Sequence, residues 1–228
     1  MCNAACIEFG RSHLTRDDVL NKKVIEVGSR DVNGSLRADV EKLGPSSYLG
    51  VDVVAGPNVD EICDISELHS RYGSESFDVV ISTELLEHVR DWRHAMSNLK
   101  KILRPNGVLL LTTRSKGFPY HGYPYDFWRY EVDDIRAIFS DLSIEVIEKD
   151  PRSSGVFVKA VKPAVFSERN LDAIDLYSIV THRHCTDVTG FDVSIRRLRH
   201  KIRRLLAHVL PAQVMAGIDR AVTKEEGS

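Results

Sequence analysis

Residues 24–35 read VIEVGSRDVNGS, an apolar-rich run of strand length that breaks at Gly28 into polar residues and a second glycine, Gly34. A glycine directly after a strand lets the backbone come close to a ligand, and one where a helix begins permits a tight entry. Outward from this stretch, short β-branched runs alternate with helical patterns. Residues 48–53, 59–62, 77–82 (FDVVIS) and 108–113 (VLLLTT) have strand composition, while 35–43, 65–72, 91–103 and 132–139 carry helical spacing. Such alternation predicts an α/β fold, a doubly wound, mostly parallel sheet with helices on both faces. Residues 143–148 and 156–161, joined by the turn at 151–155, predict an antiparallel closing hairpin.

The 228 residues suit one domain with an appendage, and 43% hydrophobic with 28% charged residues is a globular balance. A net charge of -2 gives no overall pull toward nucleic acid. Cys2, Cys6, Cys63 and Cys185 are scattered without a Cys-x-x-Cys pair, which predicts reduced thiols. The opening MCNAACIEFGRSHLTRDD has neither a basic n-region nor a long apolar stretch, and no later window reaches membrane-spanning length. The expectation is a soluble, cytoplasmic protein.

The loop after the first strand is the usual ligand site of such a sheet. It fails the dinucleotide fingerprint G-x-G-x-x-G, because Arg30 and Asn33 stand where the second and third glycines belong. A nicotinamide oxidoreductase is therefore disfavoured. Glu26, inside the strand, suits a cationic or hydroxylated ligand better than a phosphate.

Taken in order, VIEVGS, YLGVD, CDISEL, FDVVISTELLEHV and LKKILRPNGVLLLTT resemble the motif series of class I S-adenosylmethionine-dependent methyltransferases, over roughly residues 20–163. The glycine-poor first loop is similar to that of a subset of these enzymes. The resemblance implies a Rossmann-like seven-stranded sheet with an antiparallel closing strand, S-adenosylmethionine as cofactor, and a division into a methyltransferase domain, 1–163, and a helical extension, 164–228. It further implies that Gly28, with Ser29 and Arg30, approaches the methionine part and that Glu26 orders the loop or meets the amino group. Asp52 would accept both ribose hydroxyls, Asp64 the adenine amino group with the Ile65 backbone nearby, and Ser82, Thr83 and Glu84 would line the floor beneath the sulfonium. Simpler uses stand beside these: a turn glycine, a solvated cap at Asp52, an N-cap at Asp64 and helix-start packing for Glu87-His88.

Methyl transfer from a sulfonium is an in-line displacement, so alignment and a dry site matter most, and a hydroxyl acceptor also needs a proton acceptor. The stretch KGFPYHGYPYDFWRY, 116–130, holds His121, the candidate general base, and Asp126, which would orient it or bond the acceptor. Tyr120, Tyr123, Tyr125 and Trp128 are the candidate substrate contacts, able to stack on a sugar or an aromatic ring. Arg129 reads as a structural ion pair. The alternative for the whole stretch is an ordered lid whose aromatics are core. His182, His184 and Cys185 lack a matching second half, so no metal is expected.

Beyond residue 163 the pattern changes. Ile195, Leu198, Ile202, Leu205, Leu206 and Val209 recur at helical spacing, and Arg196, Arg197, Arg199, Lys201, Arg203 and Arg204 lie between them without an acid. Such a helix, residues 192–210, docks its apolar stripe on its own domain or on a second subunit, or lies peripherally on the inner, anionic membrane surface; RNA is the weakest option. The resulting expectation is O-methylation of a sugar hydroxyl on a glycan or glycosylated metabolite. Its alternatives are a small-molecule O- or N-methyltransferase of secondary metabolism, and a non-catalytic module that presents the basic helix.

Overall fold

Val24 and Ile25 set the pattern of the sheet. Along β1 (Lys23–Val27) successive side chains point to opposite faces, so Val24 packs with Phe9, Leu14 and Val19, whereas Ile25 and Val27 pack with Trp92, Met96 and Leu99. The same alternation in β4 (Phe77–Thr83) and β5 (Leu103–Arg114) sends Val79, Ile81, Val108 and Leu110 one way and Val80, Leu109 and Leu111 the other. Strands apolar on both sides require cover on both sides. α1 (Ala4–His13), α2 (Arg16–Val19) and α3 (Arg37–Glu41) supply it on one face, and α4 (Leu68–Tyr72), α5 (Trp92–Ile102) and α6 (Val132–Ile138) on the other.

The computed structural model describes residues 3–122 and 125–209, with side chains to 206. Its main sheet adds β2 (Ser47–Asp52), β3 (Glu61–Ile62), β7 (Ser143–Lys149) and β8 (Gly155–Val161) to the strands above, in the order β3-β2-β1-β4-β5-β8-β7. β8 runs antiparallel to both β5 and β7, and the other pairs are parallel. The seven-stranded, doubly wound sheet with its antiparallel closing hairpin is as expected. The α1 helix was not foreseen from the sequence; Asn3 caps it by accepting from the Cys6 amide at 3.0 Å.

After residue 163 the chain is not helical throughout. β9 (Leu176–Ser178) pairs with β10 (Arg183–Cys185) and with β6 (Trp128–Arg129) in a second, three-stranded sheet, and Leu171, Leu176, Val180 and Val188 join the core beneath α5 and α6. Only then does α7 (Gly190–Val209) begin, closed at its start by reciprocal bonds between Thr189 and Asp192. Among the described residues, no helix is long and apolar enough to cross a membrane.

Glu26 has a measurable consequence for this fold. Its side chain leaves β1 on the α1 side, where its carboxylate accepts from the Tyr48 hydroxyl at 2.6 Å. Burial pushes its pKa from 4.5 to about 7, and the Tyr48 bond offsets only part of that. Between those values the folded state keeps a proton that the unfolded chain has released, so stability falls as pH rises, by about 3 kcal/mol across the window. Urea denaturation should show that fall, and Glu26→Gln should flatten it; an unchanged slope in the variant would place its origin elsewhere.

Candidate active site

A cleft of about 690 Å³ opens at the carboxyl ends of β1, β2 and β4, where the strand order reverses between β1 and β4. Gly28, Arg30, Asp52, Asp64, Ile65 and Glu84 all line it, so six of the candidate cofactor contacts converge. Gly28 sits at φ +82, a conformation that favours glycine, and a Cβ there would lie 3.1 Å from the Leu85 side chain. The amides that follow it are already committed. Gly28 and Ser29 donate to the Val51 carbonyl at 2.9 and 3.1 Å, and Arg30 donates to Asp52 at 3.3 Å. Those three amides are not offered to a polyphosphate, in keeping with the failed dinucleotide fingerprint.

Asp52 accepts at both oxygens, from Arg30 and from the Val54 amide at 3.0 Å, and so ties the first loop to the second. Asp64 accepts from the Ser66 amide at 2.8 Å and caps a short 3-10 turn, Ile65–Glu67; the cap and the cleft share this residue. Glu84, at the end of β4, is held at φ 53, a left-handed conformation uncommon outside glycine, and pairs with Arg114. Burial and the neighbouring Glu87 raise its pKa well above the ordinary glutamate range.

Four expected contacts lie elsewhere. Glu26, Ser29, Ser82 and Thr83 are buried and do not line the cleft. Period-2 alternation explains this for Glu26, which shares its face with Val24 rather than with Val27.

The lid changes more. Trp128 is fully buried in β6 and donates its indole N–H to the Arg90 carbonyl at 3.0 Å, so it cannot stack on a substrate. Tyr123 lies outside the described residues. Tyr120 stands away from the cleft beneath the Arg196 guanidinium, 3.9 Å from its ring. Tyr125 does line the cleft, with its hydroxyl accepting from Arg197 at 2.8 Å.

His121 and Asp126 are also placed differently from expectation. Asp126 is fully buried in a two-pronged pair with Arg129, at 2.6 and 2.7 Å, and its second oxygen lies 2.9 Å from His121 Nδ1. Glu87 lies 3.7 Å from Nε2 of the same ring. Burial opposes charge on His121, but Asp126 and Glu87 outweigh it and push the pKa to about 9. An imidazole that already holds its proton near neutral pH is a poor general base, and His121 does not line the cleft. Arg129 and His121 likewise hold Asp126 well below the ordinary carboxylate range, against the opposing effect of burial.

His88 was passed over in the sequence as packing. It follows Glu87 on the 3-10 turn Leu86–His88, lines the cleft, and contacts His121 edge to face at 4.8 Å between ring centres. Its Nδ1 lies 2.6 Å from the Tyr125 carbonyl, and a carbonyl can only accept, so Nδ1 carries the proton of the neutral ring and Nε2 keeps its lone pair. The ligand atoms of Glu87, His88 and His121 fall within 4.8 Å of one another, a donor set that the sequence did not bring together. A cation there would compete with the proton that His121 holds.

Residues 11–150 match the family described as Methyltransferase domain. The chain belongs to that family, as a class I S-adenosylmethionine-dependent methyltransferase. S-adenosylmethionine is its cofactor. Among curated proteins it is similar to the ubiquinone biosynthesis O-methyltransferase of Rhizobium etli (strain CIAT 652), 25% identical over 126 residues, which cover 48% of each chain. The methyltransferase chain thus spans about half the length of the curated relatives it matches. Among solved structures, a methyltransferase from Mesorhizobium loti superposes with a TM-score of 0.54 at 20% identity, over 70% of this chain and 98% of the other. The Burkholderia thailandensis 1,6-didemethyltoxoflavin-N1-methyltransferase, solved with S-adenosylhomocysteine, gives 0.57 at 16% identity, over 70% and 79%. At these identities the two structures speak for the fold.

Proposed function

We propose that this enzyme methylates a hydroxyl oxygen on an apolar, ring-bearing small molecule. The observation that carries the reading is the bond from His88 Nδ1 to the Tyr125 carbonyl, which leaves Nε2 as the nitrogen of this cleft-lining ring that can take a proton. An amine acceptor can lose its proton before it reacts, whereas a hydroxyl needs a base beside it as the new bond forms. The names of the curated relatives, all O-methyltransferases, support the same choice.

The residues present fit the cofactor. It carries a vicinal diol and positive charge but no phosphate, and the cleft offers Asp52, Asp64 and Glu84 while the amides of Gly28, Ser29 and Arg30 are spent internally. Asp52 would hold the ribose, Asp64 and the Ile65 backbone the adenine, and the Gly28 backbone the methionine part. When bound, S-adenosylmethionine supplies a methyl group on a sulfonium. His88 takes the hydroxyl proton at Nε2, and Val32, Val53, Val54, Leu85 and Val89 give the cleft aliphatic walls.

Those walls also bear on the acceptor. A sugar would want aromatic faces to stack on, but Trp128 is in the core, Tyr120 stands away from the cleft with Arg196 over its ring, and Tyr125, which lines the cleft, has Arg197 over its ring. Aliphatic walls suit an apolar ring better, so the small-molecule alternative takes first place over the glycan. The test is methyl transfer from labelled S-adenosylmethionine to a panel of phenols, catechols, free sugars and amines. O-methylated phenol or catechol is the expected product, and transfer to amines alone or to sugars alone would overturn the proposal.

Asp52→Ala should weaken S-adenosylhomocysteine binding by about 1.5 to 3 kcal/mol, the range for a lost charged hydrogen bond. Calorimetric titration measures it, and an unchanged affinity would remove the ribose assignment.

A further inference from the structure

α7 meets its own domain with the wrong face for ordinary docking. Wound at 3.6 residues per turn, Phe191, Ile195, Leu198, Ile202, Leu205 and Leu206 share one side of the helix, while Val193, Arg196 and Arg197 lie on the other. The second side is the one used. Val193 packs against the core, Arg196 donates to the Ile179 carbonyl at 2.9 Å, and Arg197 donates to the Tyr125 hydroxyl. The apolar side is left in solvent, with Phe191 73%, Leu198 58% and Leu205 69% exposed. The expectation that this stripe docks on its own domain is therefore corrected.

We propose that this side of α7 lies on an anionic lipid surface. Charge selects that occupant. From Val193 to Val209 the helix carries six arginines and lysines and no acid, and Arg199 and Lys201 border the apolar stripe on its two sides. That is the layout of a helix lying in the plane of a membrane interface, its apolar side among the acyl chains and its cations among phosphate headgroups. A second copy of the helix would set like charge against like, and an RNA backbone would have no use for the stripe.

The position of the helix gives the contact a function. Its first turns, at Gly190, Val193, Ser194 and Arg197, line the active-site cleft from the side away from the stripe, so a membrane on the stripe lies one helix diameter, roughly 10 Å, from that cleft. The acceptor is then a molecule dissolved or anchored in the lipid that enters from the bilayer side. This second step rests on the methyltransferase reading of the cleft; the lipid contact does not.

Flotation of the full chain with vesicles of phosphatidylglycerol and phosphatidylcholine in equal parts, and of phosphatidylcholine alone, tests the contact. The chain should float with the anionic vesicles, less so as salt is raised. Leu198→Glu/Leu205→Glu, at two exposed positions away from the cleft, should reduce flotation roughly tenfold or more. Its S-adenosylhomocysteine affinity should stay unchanged, which separates loss of the surface from loss of the fold and from failure of the cofactor reading. No flotation with anionic vesicles, or equal flotation of the variant, would overturn the proposal. So would a wild-type oligomer in light scattering that the variant loses while vesicles leave both behind, since the stripe would then belong to a second copy.

Discussion

His88→Ala should lower turnover by a factor of about 10² to 10⁴, the range for a lost general base, with S-adenosylhomocysteine affinity little changed. The size of the effect follows from how the ring is held. The Tyr125 carbonyl fixes which nitrogen of the neutral ring is bare, and the ring lines the cleft. His121, the nearest imidazole, already holds a proton between Asp126 and Glu87. His121→Asn should therefore act mainly on lid order and far less on the chemical step. Steady-state kinetics and single turnover on both variants check the order, and a larger chemical defect at His121 than at His88 would reverse the assignment.

Arg129→Ala should destabilise the fold by about 3 to 5 kcal/mol, the cost of breaking a buried ion pair by removing one partner. Both side chains of the Arg129–Asp126 pair have no exposed surface, and the guanidinium also donates to the carbonyls of Phe118 and Pro119 at 3.2 and 3.1 Å. Its removal leaves a carboxylate in the core and unties the start of the lid. Arg129→Met with Asp126→Leu removes the charge along with its partner and should recover much of the loss, because an apolar pair of similar volume avoids the desolvation of both ions. Urea denaturation of the single and double variants measures this. A single-variant cost below about 1 kcal/mol would mean that water reaches Asp126.

The sheet was legible because its signal is local. Apolar runs at 24–27, 77–82 and 108–113, each closed by turn residues, needed no tertiary information to be read as strands, and the residues that follow the first two mark the cleft. The lid was less legible. Its aromatics look alike in sequence, yet Trp128 faces the core from a strand while Tyr125 faces the cleft; what separates them is β9, a partner strand far along the chain. His88 was missed for the same reason, since the carbonyl that fixes its tautomer comes from the lid. The basic amphipathic pattern of α7 was plain, but which side meets the body depends on the hydroxyl of Tyr125 and the carbonyl of Ile179.

The small sheet of β6, β9 and β10 also bears on how the molecule is made. β6 has its partner only when Leu176–Ser178 arrives, roughly fifty residues later in the chain, so at ordinary rates of synthesis the seven-stranded body emerges from the ribosome seconds before the lid can close over it. A nascent chain halted after β8 would hold the strand ends of the cleft but leave Trp128 and its apolar neighbours uncovered. That interval is when the growing protein is most open to chaperones and most at risk of sticking to its neighbours on a crowded polysome.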